Sequence, residues 1–451
     1  MLPSSPADSP QSGFFDITHQ LDAAHPLLAL ANAIDWALLE QQLGVFYKDK
    51  GRAAKPIRLM SGLLMLKQLY NLSDEGVVAQ WQMNPYFQVF CGEVDFQTQV
   101  PCNSSELSVF RRRIGAKGVE ALFAQSVVLH GQAAEEPTVL VDTTVQEKAI
   151  TYPTDSKLAI KIINRLNKLA KREGIQQRRT FVKEVKALRL ACRHFRHARK
   201  RGKARRALKR LRTIAGILLR ELERKLPAEV LLKEMPRFEL YRKVLTQQPQ
   251  DKNKIYSLHE PGVYCVGKGK DHKAYEYGRK ASVVSTLNSH IIIGVVSHDE
   301  HTHDSKTLAP ALAHAKQHRR SAISLAVADR GYVGGQQYVK ETLLLPKPPL
   351  KRDSAYQRQK KRQLCRKRAA IEPIIGHLKH DFRLSRNWLA GSEGDQINLL
   401  MAACAWNLRK WLVAFFLCLF WVPLRALTRH QRQNTSPDES RKWILRKNIA
   451  I

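Results

Sequence analysis

The chain has 451 residues, a formal net charge of +35 and an isoelectric point near 10.1. That length allows two or three domains with a well-formed core. So large a cationic excess is most easily tolerated beside a polyanion, nucleic acid being the commonest, with a membrane surface or a ribosomal contact as the other reading.

Residues 1–13 are rich in Pro and Ser and carry neither a basic n-region nor an apolar h-region, so they read as a disordered leader and not a secretory signal. Residues 14–136 have a helical pattern and are expected to form an all-α N-terminal DNA-binding domain. Pro56 suits the first turn of a helix through Leu69, and Asn71-Leu72-Ser73-Asp74 ends it and caps the next. That helix runs to about Met83, where Asn84-Pro85 stops it. Pro101 to Glu106 is another capped start, leading into Leu107, Phe110 and Ile114 at helical spacing with Arg111, Arg112 and Arg113 beside them as candidate DNA contacts. Short helices with sharp turns and a basic cluster suit a helix-turn-helix, and a plain bundle with a solvated basic face fits equally well.

Residues 137–410 change the period to strands and helices around a mixed sheet, an α/β order. Val139-Leu140-Val141 is a buried-strand run closed by Asp142. A strongly basic helical insertion then occupies about 155–245: Lys161 to Arg212 holds about twenty Lys or Arg against two acids, Glu173 and Glu184. Its apolar residues recur at helical spacing, so one face packs and the other offers cations to phosphates or simply to solvent.

Short β-rich runs follow at 255–258, 262–266, 280–285 and 290–296, then a helix from Lys306 to about His318 capped by Asp304 or Ser305. Leu325-Ala326-Val327-Ala328 is a second buried-strand run, closed by Asp329. Gly334-Gly335 opens a helix towards Lys340, and 342–345 reads as a last strand. Glu372 lies in a segment of helical composition, 368–379, with Pro373 beside it, where the helix either kinks or starts. Residues 411–451 comprise an apolar stretch, 411–424, and a basic tail. The stretch is about 14 residues and ends in Pro423, short of a bilayer span, so it is expected to be a buried terminal helix or a dimer contact and not a membrane segment.

Two strand-end aspartates and a helix-borne glutamate are hard oxygen ligands on rigid elements, which metal-assisted phosphodiester chemistry requires. Taken singly, each is as well explained as a turn residue, a turn cap before Gly331 or a surface acid. His301, His303 and Asp304 form an H-x-H-D run that lacks further zinc ligands nearby and reads as a helix cap near the edge of the site. No Walker-type loop, G-x-G-x-x-G or serine-nucleophile elbow appears, so no nucleotide cofactor is expected. The seven cysteines are scattered without a C-x-x-C pair and fit a reduced cytoplasmic compartment.

The chain resembles the bacterial insertion-sequence DDE transposases with an RNase H-like catalytic core, and is similar in particular to the insertion sequence five family. The likeness rests on VLVDTTV, YGRKASVVST, HDEHTHDSKTL, VADRGYVG and KRAAIEPIIGHLKHDFRLSRNWLAG, and covers nearly the whole chain. It implies catalytic, metal-binding roles for Asp142, Asp329 and Glu372, with two Mg2+ or Mn2+ ions per active site. The family's glutamate motif, Tyr-x2-Arg-x3-Glu-x6-Lys, is matched by Arg368, Glu372 and Lys379, which implies DNA-binding roles for Arg368 and Lys379, while Cys365 stands at the Tyr position. At about 100° per residue both cations fall on the face of Glu372. Asp142 and Asp329 are 187 positions apart, the excess being the basic insertion, and Asp329 and Glu372 are 43 apart.

The resemblance implies a bacterial, nucleoid-associated enzyme that cuts double-stranded DNA at the element's terminal inverted repeats and joins the ends to target DNA, working as a homodimer or larger homo-oligomer. A metal-dependent nuclease without strand transfer, or an inactive DNA-binding descendant of a transposase, are the alternatives.

Overall fold

The structure is a computed structural model of the chain and describes residues 16–48, 53–270, 273–348 and 350–433. The expected leader at 1–13 and the end of the basic tail, 434–451, lie outside these residues. The N-terminal unit contains α1 (Pro26–Ala33), α2 (Trp36–Gly44), α3 (Ile57–Leu69), α4 (Asp74–Met83), α5 (Pro85–Phe90) and α6 (Ser104–Val128). Capping side chains set their starts: Ser73 accepts from the Gly76 amide at 2.9 Å, and Asn103 and Glu106 form a capping box at α6. α6 kinks at Gly115 (φ 57°), where the Ala116 amide donates to Glu393 and a Cβ would lie 2.5 Å from that carboxylate.

Arg111 corrects the expectation that it touches DNA. It sits on the same helical stripe as Leu107, Phe110 and Ile114 and is buried with them. Its guanidinium donates to both Asp74 oxygens, at 2.9 and 2.7 Å, and Lys67 Nζ lies 2.7 Å from the same carboxylate. Both arms of its fork are therefore committed inside the helical unit. Arg112 and Arg113 do point outward, with Arg113 lying 4.7 Å over the Tyr47 ring.

The sheet is built from β1 (Thr138–Glu147), β2 (Tyr264–Lys270), β3 (Lys273–Thr286), β4 (Ile292–Ser297), β5 (Leu325–Val327) and β6 (Thr342–Leu344). Its order is β2-β3-β1-β5-β6, and β4 pairs with the part of β3 that β2 leaves uncovered. β1 is antiparallel to β3 and parallel to β5, which is parallel to β6. The mixed sheet matches the expected fold class. Residues 255–258 form no strand; Ile255 and Leu258 instead bury their side chains in the core of the insertion. The helix expected after Gly334 is a single 3-10 turn, Gly335–Tyr338.

The segment between β1 and β2 forms α7 (Asp155–Arg172), α8 (Val182–Cys192), α9 (Arg201–Lys225) and α10 (Ala228–Thr246). These helices enclose a core of their own, in which Leu158, Ile162 and Leu166 meet Leu211, Leu218 and Phe238. Lys203, Arg205, Arg206 and Lys209 stand exposed on α9, whereas Arg210 and Arg212 are taken up by Glu184 and Asp155.

α11 (Asp304–Gln317), α12 (Ala355–Lys367), α13 (Ile371–His380) and α14 (Gly391–Gln433) complete the fold. A second core runs without a break from Leu27 in α1 through the sheet to Leu408 in α14, so the N-terminal helices and the sheet pack as one body. Gly391–Leu417 is long and apolar enough, by length and composition, to cross a membrane, and half of its most apolar window is buried inside the protein. α14 continues through 410, where a domain boundary was expected. Within the expected apolar stretch Trp411 and Leu412 pack against the core, whereas Val413, Phe416 and Leu417 are each about half exposed.

Burial opposes the charge on Asp74, but the Arg111 and Lys67 contacts outweigh it and hold the carboxyl well below its usual range. Asp74→Ala would strand two buried cations, so we expect it to cost about 3–5 kcal/mol in chemical denaturation, against no more than about 0.5 kcal/mol for Arg112→Ala. The contribution of a depressed carboxylate is present above its unfolded pKa and disappears as pH falls through the folded value, so the Asp74→Ala deficit should shrink in acid.

Candidate active site

β1 and β5 are adjacent parallel strands in the register Thr138↔Leu325, Val139↔Ala326 and Leu140↔Val327. Two residues beyond the last pair, the same register brings Asp142 level with Asp329. Both strands are apolar up to that point because they are buried on both faces. Asp329 falls just past the end of β5, whereas Asp142, expected at a strand end, stands mid-way along β1, which stays paired with β3 as far as Glu147. Asp329 Oδ1 accepts from the Gly331 amide at 2.9 Å, which pins the turn.

α12 ends in a 3-10 turn, Arg368–Ala370, and α13 starts at Ile371, so Pro373 sits in a first turn where its missing N–H costs nothing. Arg368 nevertheless reaches Glu372: its Nη2 lies 3.4 Å from Glu372 Oε1 and its Nη1 lies 3.6 Å from Asp142 Oδ2. The guanidinium thus bridges the strand-borne and helix-borne acids. Glu372 is 65% exposed, whereas Asp142 is 17% exposed. Lys379 turns elsewhere. About 10 Å of helix beyond Glu372, its Nζ lies 3.7 Å from Glu276 of β3.

Asp304 does not cap its helix, contrary to what its position suggests. The cap of α11 is His303, whose Nδ1 accepts from the Ser305 amide, and Asp304 is the first helical residue with its side chain turned to the sheet. Asp304 Oδ1 accepts from the Thr143 hydroxyl at 3.0 Å and from Lys280 Nζ at 2.9 Å. Gly331 lies against both this carboxylate and Asp329: a Cβ there would lie 3.0 Å from Asp329 Oδ1 and 3.1 Å from Asp304 Oδ2. The motifs around Asp142, Lys280 and Asp304 were visible in the sequence, but only the fold shows that they face one another.

Burial raises the Asp142 carboxyl to about 6; the Thr143 amide and Arg368 pull it down, and Asp329 and Glu372 push it up. A buried carboxylate held against two others is a site short of positive charge, and oxygen donors of this kind suit magnesium or manganese. The donor set therefore fits divalent ions, with Arg368 supplying part of the missing charge.

A different group, Glu120, His314 and His318, brings its donor atoms within 4.8 Å of one another. It lies at the far end of α11, about 15–20 Å of helix from Asp304. His318 Nε2 is hydrogen-bonded to Glu120 at 2.6 Å, and His314 Nε2 lies 2.8 Å from the same carboxylate oxygen. The Val295 amide donates to His314 Nδ1 at 3.3 Å, which leaves the ring proton on Nε2, facing Glu120. Burial raises the Glu120 carboxyl, and the contacts from His314 and His318 outweigh that and lower it to about 2.

Residues 15–113 match the family described as a transposase domain (DUF772), and residues 246–408 match the family described as a transposase DDE domain. The second match takes in Asp329 and Glu372 and starts after Asp142. An uncharacterized protein, ORF8 in the nfe locus of Rhizobium meliloti, is 41% identical over 208 residues, covering 44% of this chain and 99% of that protein. No solved structure matches. An RNase H-like sheet with one acid mid-way along its first strand and another just past β5 suits nucleic-acid phosphotransfer, and with these matches the chain belongs to the insertion-sequence DDE transposases. The family acts on DNA and generally uses divalent metal ions; the matches do not reach the insertion sequence five subdivision.

For Asp142 a raised folded pKa means that stability is fully present below the unfolded value and declines as pH rises towards 6. A shift of two units corresponds to about 2–3 kcal/mol. Asp142→Asn should therefore melt higher than the parent at pH 7.5 in EDTA, and the two should converge below about pH 4. Thermal denaturation across that range reads the difference directly.

Proposed function

We propose that this chain cuts DNA at the terminal inverted repeats of an insertion sequence and joins the freed ends to target DNA, with Asp142, Asp329 and Glu372 as the metal-binding catalytic acids. The observation that carries this reading is the parallel β1–β5 register, which sets two aspartates side by side, together with the Arg368 bridge that adds Glu372. Bound Mg2+ or Mn2+, two ions per site, supplies Lewis acidity at the scissile phosphate.

In cleavage, a water oxygen forms the new bond to phosphorus and the 3′ oxygen of the element end leaves. In joining, that 3′ hydroxyl attacks a target phosphodiester in line, and a 3′ oxygen of the target leaves. The same acids serve both steps because only the nucleophile changes. Arg368 sits where it can pass from Glu372 to a phosphate, a role its planar fork suits. Arg112 and Arg113, with the outward cations of α9, offer further backbone contacts, and Lys379 joins them where a phosphate displaces Glu276.

Pairing two DNA ends calls for at least two protomers, and the half-exposed apolar face of Trp411–Leu417 is the contact we assign to it. With DNA as substrate, the protein works in the bacterial cytoplasm at the nucleoid.

The test is a gel assay with labelled DNA carrying the ends that flank the chain's own gene, in Mg2+ or Mn2+, beside Asp329→Ala. We expect nicks at the repeat boundary and joined products, both absent in the variant. Nicks without joined products would reduce the function to a nuclease, and specific binding without cleavage would make the chain a DNA-binding protein.

A further inference from the structure

We infer that Asp304 is a fourth carboxylate of the metal centre, with Oδ1 anchored by Thr143 and Lys280 and Oδ2 left as the ligand atom. This rests on the reading of Asp142, Asp329 and Glu372 as metal-binding acids and extends their set to α11. The first observation is the division of labour on the side chain. Both hydrogen bonds to Asp304 fall on Oδ1, while Oδ2 and Asp329 Oδ1 both approach the same point beside Gly331, where a Cβ would lie 3.1 and 3.0 Å from them. Asp329 is built the same way, one oxygen fixed by a main-chain amide and the other not. A carboxylate with one oxygen fixed and one open is pre-oriented for a ligand, since its rotamer is set before the ion arrives.

The second observation is independent. The Tyr332 side chain is wholly buried, and its hydroxyl has no hydrogen-bond partner among the described residues. After burial, Asp142, Asp304 and Asp329 raise its pKa and the Thr307 hydroxyl lowers it, so the phenol lies among these groups without a well-formed hydrogen bond to any of them. A buried hydroxyl without a partner is costly, and water carried by a divalent ion is the kind of group that would satisfy it.

The competing role for Asp304 is structural, as the counter-ion of Lys280. That pair is polar and partly exposed, with Asp304 at 27% and Lys280 at 12%, and an ion pair alone would need only one oxygen and not the approach of the other to Asp329.

Mn2+ binding to the full-length protein, measured by calorimetry without DNA, separates these roles. The parent should bind two ions. Asp304→Asn, which keeps the size and the contacts to Thr143, should weaken one of them by at least about tenfold, as loss of a ligand does, with an unchanged melting temperature in EDTA. Lys280→Met, which removes an anchor and no ligand, should keep both ions, the one that Asp304→Asn affects being bound no more than moderately weaker. Parent-like binding by Asp304→Asn overturns the proposal and leaves Asp304 as a counter-ion. Asp329→Asn reports on the underlying reading: if it also binds like the parent, the catalytic acids themselves are misassigned. Should Asp304→Asn fail to fold, Asp304→Glu takes its place, expected to keep both ions with one affinity altered; two parent-like affinities would again overturn the proposal.

Discussion

Mutual repulsion among carboxylates gathered at one end of the sheet is the constraint on which this structure turns. Parallel pairing of β1 with β5 sets Asp142 beside Asp329, and α13 and α11 bring Glu372 and Asp304 to the same place. Left alone, such an assembly would disperse or take up protons. Three cationic or donor groups oppose that outcome: Arg368 between Asp142 and Glu372, and Lys280 and Thr143 on Asp304. The compensation is incomplete, because the Asp142 carboxyl still rises to about 6. Residual repulsion in a folded protein means that the surrounding packing holds the groups together against it. The wholly buried strand residues Leu140, Val141 and Val327 do that here.

The rest of the molecule serves to keep that sheet end rigid. α14 threads between the N-terminal helices and the sheet, and Asn407 on it accepts from the Ile292 amide and donates to the Ile292 carbonyl. At the far end of β1, the fully buried Asp395 takes Lys148 at 2.9 Å, Arg279 at 3.1 Å and Asn387 at 2.6 Å. A network of this kind fixes the register of β1 against β3 and against the start of α14, and so fixes where Asp142 ends up along the strand. The basic insertion, by contrast, has its own core and can stand off the sheet without disturbing it.

Much of this was legible in the residues. Caps at Ser73 and Asn103, the apolar runs before Asp142 and Asp329, and the helical insertion all follow from local signals with a known mechanism. The errors share a cause. Arg111 was read as one of three adjacent arginines, although its spacing from Leu107 and Ile114 already placed it on the core stripe; charge suggested the partner, but position decided it. At residues 255–258 the β-rich composition reflected burial against the insertion and not strand pairing. Asp304 looked like a cap because it stands where caps stand, and only long-range contacts with Thr143, Lys280 and Gly331 reveal its direction. None of those contacts has a sequence period.

The difference between Glu372 and the two aspartates bears on how such a site works. Asp142 is largely buried on a strand, whereas Glu372 is 65% exposed on a helix that begins one residue before it. The first acid is placed by the sheet and cannot yield without breaking β1. Glu372 is held to Asp142 chiefly through Arg368, at 3.4 and 3.6 Å, distances long enough for ion pairs that exchange partners easily. On the proposed function, an arriving phosphate would compete with Glu372 and Asp142 for the same guanidinium. As Arg368 turned to the phosphate, both carboxylates would lose their counter-charge together, and the need for divalent cations at the site would rise with substrate present. Arg368 would then couple DNA binding to metal demand through electrostatics, with no change required in the sheet.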